Sequence, residues 1–177
     1  MIMNQLHSNA RQLGRTLLII GRRYGLWIGL FLSLIFCLTS RYQLALNVTH
    51  SLPQTLFLIE KKNHNVTRGD YMAFFWVKGG PIPNGIVVIK EVVGVAGDRV
   101  EHRQKKDGLW VEINGKAISL IKPFARSGAV LVPSTTGMIP EKHYFVHAPH
   151  PDSLDSRYAL TGFVSDTQMV GRAIPLF

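Results

Sequence analysis

With 177 residues, 46% of them apolar, the chain has room for one hydrophobic core rather than two, and no stretch is polar enough to read as disordered. The formal charge of +9 raises the question of nucleic acid, yet no zinc-finger spacing, helix-turn-helix pattern or RNA-recognition signature occurs, so no nucleic-acid partner is expected. Cys37 is the single cysteine, which excludes an internal disulfide framework, and its place in an apolar run argues against a catalytic thiol.

The charge is uneven along the chain. Residues 1–40 hold four arginines (Arg11, Arg15, Arg22 and Arg23) and no acid, whereas the other 137 residues carry 16 basic and 11 acidic side chains. Between Arg23 and Arg41 lie 17 uncharged residues, 24–40, at the short end of what a spanning helix needs. Tyr24 and Trp27 at one end and Tyr42 at the other suit the membrane interfaces. A cleaved secretory signal has the same pattern, but no small-x-small cleavage site follows the run, so an uncleaved anchor is expected. In either case the arginines stay cytoplasmic and the rest of the chain is delivered across the membrane.

Ser51 follows Arg41 by ten residues, so a fully extended chain carries it at most ~35 Å from the membrane surface. Leu44, Leu46 and the run Phe74-Phe75-Trp76 are candidates for an apolar face resting on lipid, with core packing the alternative for most of them. Asn47 and Asn65 open N-x-T sequons; a glycan at Asn47 would crowd Ser51, and both read as chance matches.

From residue 56 onward the pattern is strand and turn. Strands are expected at 56–60, 70–77, 86–96, 109–113, 116–121 and 143–147, with turns at Arg68-Gly69-Asp70, Gly79-Gly80-Pro81, Asp107-Gly108 and Asn114-Gly115. Asn114-Gly115 between WVEI and KAIS is a strong two-residue hairpin signal. The basic run 103–106 reads as a solvated loop or a contact for anionic lipid, and 122–142 as a long surface excursion. Within the strand over 86–93, Lys90 shares a face with Ile86, Val88 and Val92, which favours a neutral amine by loss of hydration. The alternative is an edge lysine that reaches water.

Four segments carry the chemistry: 47–55 with Asn47, Thr49, Ser51 and Pro53; Arg68-Gly69-Asp70; 89–100 with Lys90 and Gly97-Asp98; and 150–158 with Asp152, Ser153, Asp155 and Arg157. In order and spacing they resemble the conserved boxes of the type I signal peptidases (S26), and the S-x-P start and the ending GRAIPLF are most similar to the conjugative-transfer signal peptidases of the TraF type. The fold this resemblance implies is mainly β: a signal-peptidase or LexA-like β domain preceded by one N-terminal transmembrane helix. Residues 1–23 would be the basic cytoplasmic N-terminus, 24–40 the anchor, and 41–177 an extracytoplasmic serine peptidase domain at a bacterial inner membrane, on the periplasmic side.

The resemblance also implies roles. Ser51 is the nucleophile and Lys90 its general base, which must be neutral to take the serine proton. Thr49 matches the hydroxyl that donates into the oxyanion hole together with the backbone N–H of the nucleophile. Ser153 matches a hydroxyl that orients the lysine amine, and Asp155 with Arg157 a structural ion pair. Gly97-Asp98 and Gly69-Asp70 are turns with structural duty. The chain departs from the pattern at Thr55, where the TraF type prefers glycine, which leaves the turn after Pro53 open.

Two rival constellations compete. One is a Ser-His-Asp triad with His147 or His150 and Asp152 or Asp155. The other is a metal site from His143, His147 and His150, disfavoured because residues four apart on one strand lie ~13 Å apart. No metal and no cofactor are expected. The expected partners are an exported precursor protein, bound as an added strand, and membrane lipid. For a TraF-type enzyme that precursor is the pilin of a conjugative type IV secretion system, whose ends some family members rejoin into a circle. The alternatives are a general signal peptidase, against which stands the shortness of the stretch between Arg103 and Gly137, and a non-enzymatic membrane-anchored pilus-assembly subunit.

Overall fold

A computed structural model describes residues 2–49 and 51–177, with side chains from Gly21 onward; Met1, His50 and the side chains of Arg11 and Arg15 lie outside the described residues. The chain divides into two units, residues 1–41 and 42–177.

The first unit is one helix, α1 (Ile2–Arg41). It begins well before the apolar run, because residues 2–23 contain no proline and are rich in leucine, arginine and glutamine, all good helix formers. Its segment Gly21–Arg41, with mean hydropathy 1.5, is long and apolar enough to cross a membrane.

The second unit is antiparallel β structure. A seven-stranded sheet has the order β1 (Tyr42–Leu46), β2 (Leu56–Lys61), β11 (Met169–Pro175), β3 (Tyr71–Phe75), β4 (Val87–Gly94), β9 (His143–His147) and β10 (Val164–Ser165). A four-stranded sheet has the order β7 (Lys116–Ile121), β6 (Gly108–Ile113), β5 (Arg99–Lys105) and β8 (Gly137–Met138). The short stretch after Arg103 therefore builds a compact second sheet. Its β6–β7 turn has Asn114 at φ 50° and Gly115 at φ 77°. Two positive φ values in succession are what an Asn-Gly hairpin supplies at low cost.

The six strands expected from β-branched and aromatic runs are present, with ends shifted by a few residues. Others were not expected. β5 reads RVEHRQK, with Val100 its one fully buried apolar residue, so alternation gives no signal. It is held between β6 and β8, and its Arg103 and Lys105 pair with Glu112 at 2.7 and 3.1 Å. The basic run 103–106 is thus largely strand, not loop. β11 buries only Met169, Gly171 and Ala173, side chains too small to announce a central strand. Gly171 is required there: a Cβ would come within 2.0 Å of the Glu60 carbonyl oxygen.

Both faces of the central strands are covered. Met72, Phe74, Trp76, Val92 and Val146 pack on one side, and Phe57, Ile59, Ala73 and Ala173 in another cluster. Phe74 and Trp76 are therefore core residues, whereas Leu44 and Leu46 on the edge strand β1 are exposed. Of the excursion 122–142, only Gly137–Met138 forms a strand.

Candidate functional site

Residues 47–55 join β1 to β2 and carry Ser51. Leu52 is buried among Phe57, Ile59 and Ala173 and ties this loop to the core. Asn47 shapes it from within. The Asn47 Nδ2 donates to the carbonyls of Leu52 (3.1 Å) and Gln54 (2.9 Å), and its Oδ1 accepts from the Thr49 N–H (3.1 Å) and the Thr49 hydroxyl (2.8 Å). Thr49 Oγ1 lies 2.8 Å from Ser51 Oγ in a hydroxyl–hydroxyl bond.

The turn after Pro53, left open by the sequence, needs no glycine at position 55. Among the described residues the non-glycine ones at positive φ are Lys62, Asn114 and Lys142, so Thr55 has a backbone that any residue adopts. Its N–H donates to the Phe177 carbonyl and its own carbonyl accepts from Asn47, at 2.6 and 2.8 Å.

Lys90 lies across from Met72 and on the same strand face as Val88 and Val92. It is 4% exposed. The Lys90 Nζ donates to Ser153 Oγ at 2.8 Å. Burial lowers the amine from 10.5 to about 8, against the pull of the Asp155 carboxylate and with help from the Arg157 guanidinium. Glu91 faces the other way, in register with Tyr71 and His147.

The segment bearing Ser153 is braced by an ion pair. Asp155 and Arg157 are 0% and 1% exposed and meet at 2.8 Å and 3.0 Å through Nε and Nη2. Asp155 also accepts the Ala148 N–H, while Arg157 donates to the carbonyls of Ser153 and Leu120 and to Ser119 Oγ. Arg157 thus ties the Ser153 loop to β7 of the small sheet.

These elements converge on a cavity of about 440 Å³. Thr49, Ser51, Lys90 and Ser153 line it together with apolar Ala45, Leu46, Ile82, Ile86, Val88 and Leu154. Asp155 and Arg157 stand behind the wall. The arrangement offers a hydroxyl nucleophile, an amine able to hold or release a proton near neutral pH, and hydroxyls beside both.

Asn47 is the residue of this loop whose hydrogen bonding sequence reasoning missed. Its signal was the Asn-x-Thr spacing, which reads as a sequon but is also the spacing of a side chain bonding the backbone two residues on.

The rival histidines are placed differently. The Asp155 carboxylate is engaged by Arg157, and Asp152 pairs with Lys122 and Arg126. His147 Nε2 is buried without a hydrogen-bond partner among the described residues, and His150 Nδ1 accepts the Asp152 N–H at 3.2 Å. His150 and Asp152 line the cavity, yet neither histidine bonds an aspartate side chain. No three His, Cys, Asp or Glu side chains gather into a metal-holding group among the described residues.

Residues 17–177 match the family model for signal peptidase, peptidase S26. The conjugal transfer protein TraF of Agrobacterium tumefaciens (strain 15955) is 31% identical over 149 residues, 75% of this chain and 81% of that protein. Among solved structures, a signal peptidase I from Enterococcus faecalis V583 is 28% identical, covering 64% of this chain and 97% of its own, with a TM-score of 0.39.

Proposed function

The chain belongs to the signal peptidase family, peptidase S26, and is a serine endopeptidase that processes a precursor protein; on that premise we propose that Ser51 is its nucleophile and Lys90 its general base. The observation that carries this reading is the Lys90 amine, buried in the cavity that Ser51 lines and lowered to about 8. A lysine at its ordinary value would be almost wholly protonated at neutral pH and could accept nothing.

The reaction then runs in two halves. Ser51 Oγ attacks the scissile carbonyl as its proton passes to Lys90 Nζ. The oxyanion is met by the Thr49 hydroxyl and the Ser51 N–H. The C–N bond breaks, Lys90 returns the proton to the leaving amine, and the acyl group remains as an ester on Ser51. Water attacks that ester, giving a proton to Lys90; the bond from the acyl carbon to Ser51 Oγ breaks, Lys90 returns the proton to Ser51 Oγ, and the new carboxyl end departs. Ser153 holds the amine in place, and Asp155 with Arg157 holds Ser153.

The substrate is the pilin precursor of a conjugative type IV secretion system, a reading supported by the similarity to a conjugal transfer protein. If the N-terminal amine of the same pilin chain attacks the ester in place of water, a peptide bond forms, Ser51 leaves and regains its proton from Lys90, and the product is a circle. The helical segment Gly21–Arg41 spans the bacterial inner membrane, with Arg22 and Arg23 on the cytoplasmic side and residues 42–177 in the periplasm. Exposed Tyr42, Leu44 and Leu46 on β1 support contact of that domain with lipid.

The test is co-expression with the pilin precursor and, separately, with a secretory precursor, followed by mass spectrometry. Ser51→Ala and Lys90→Ala should each abolish processing while the protein stays folded and inserted. Normal processing by either variant would overturn the assignment, and a product lighter than the linear chain by one water identifies circularisation.

A further inference from the structure

The hydrogen bonds around Thr49 contain a directional constraint. Asn47 Nδ2 faces two carbonyl oxygens, of Leu52 and Gln54, and so must be the amide nitrogen. Its Oδ1 faces the Thr49 N–H and is therefore a pure acceptor. The Thr49 hydroxyl, 2.8 Å from that oxygen, can only donate to it. A threonine hydroxyl has one proton. Toward Ser51 Oγ, also at 2.8 Å, Thr49 must then accept.

We propose that Asn47 is a positioning residue for the peptidase reaction: by accepting both protons of Thr49, it fixes the Thr49 hydroxyl as acceptor of the Ser51 proton in the resting enzyme and keeps the Thr49 proton in reserve for the oxyanion. This rests on the reading of Ser51 and Thr49 as nucleophile and oxyanion donor. Every hydrogen bond in the set has a role in the cycle. At rest Ser51 is oriented by Thr49. On attack the Ser51 O–H turns from Thr49 to Lys90 and gives up its proton there, and the Thr49 O–H rotates from Asn47 Oδ1 to the new oxyanion. No proton moves between Asn47 and Thr49. The Thr49 N–H remains on Asn47 throughout, so the residue stays in place while its hydroxyl turns. The Nδ2 bonds to Leu52 and Gln54 anchor Asn47 to the far side of the Ser51 loop, which makes it a brace rather than a pendant side chain.

The inference separates Asn47 from a merely structural loop residue in measurable ways. In the full-length protein acting on the pilin precursor, Asn47→Ala should lower kcat by ~10–100-fold and change KM less than about threefold. In a Thr49→Val background the same substitution should cost less than about threefold, because the hydroxyl it governs is gone. Losses that multiply independently would overturn the proposal and leave Asn47 as scaffold. Asn47→Asp keeps the acceptor for Thr49 but sets an oxygen against the Leu52 and Gln54 carbonyls. It should lower the melting temperature yet retain more kcat than Asn47→Ala, and an equal loss in both would count against the Thr49 contact.

A second measurement needs no substrate. Amide exchange at Thr49 should be slowed in the wild type, still slowed in Asn47→Asp, and at least ~10-fold faster in Asn47→Ala. Equal exchange in all three would overturn the contact itself. Ser51→Ala in the precursor-cleavage assay distinguishes the two failures. If Ser51→Ala still cleaves, the reading of the site falls. If it is inert while Asn47→Ala cleaves at the wild-type rate, only the Asn47 assignment falls.

Discussion

Lys90 Nζ donates to Ser153 Oγ at 2.8 Å, so the buried amine has a neutral hydroxyl, not a carboxylate, as its hydrogen-bond partner. The nearby carboxylate, Asp155, is spent on Arg157. Burial is the largest influence and lowers the amine, Asp155 pulls it back up, and Arg157 adds to the lowering. This division of labour leaves the amine at about 8 instead of locking it as an ammonium.

The first expectation is a pH profile. Initial rates of precursor processing should climb through about pH 8 as Lys90 loses its proton and level off above it. Rates measured in folded protein that stay flat on acidification to about pH 6 would contradict a Lys90 base.

A second expectation concerns stability. Because the folded value lies below the unfolded one, the unfolded chain binds more protons between about 8 and 10.5, and stability rises with pH across that window. Below about 8 the full burial penalty is present. Lys90→Met should therefore abolish processing yet stabilise the domain at neutral pH by on the order of 1–3 kcal/mol. The gain should shrink in denaturation experiments run toward pH 10.5.

The buried pair gives the opposite outcome. Arg157→Ala leaves the Asp155 charge unpartnered and frees the Ser153 loop from β7. It should destabilise by about 3–5 kcal/mol, read as a lower denaturant midpoint with an unchanged slope. A loss under about 1 kcal/mol would show that the pair does not brace the loop.

Thr55 provides a control in the turn that the sequence left open. Thr55→Gly preserves the backbone bonds to Asn47 and Phe177. Since Thr55 has no positive φ to relieve, the change should cost ~0.5–1 kcal/mol of stability and leave the pH profile unmoved. An increase in stability would mean that the loop is strained there.

Much of the domain was legible because its signals are local. The runs containing Phe57, Val88 and Phe145 read as strands from β-branched and aromatic content, and Asn114-Gly115 read as a hairpin from its backbone preference. Lys90 was legible too, since strand alternation alone places it among valines. Tertiary structure decided β5 and β11, whose charged or small residues become strand only because neighbours complete their hydrogen bonds. It decided the contact between Lys90 and Ser153 across 63 residues of chain, and the role of Asn47 as a brace. The physical reason is range. Propensity and alternation act over a few residues, whereas burial and hydrogen-bond direction depend on what the finished fold brings within about 3 Å.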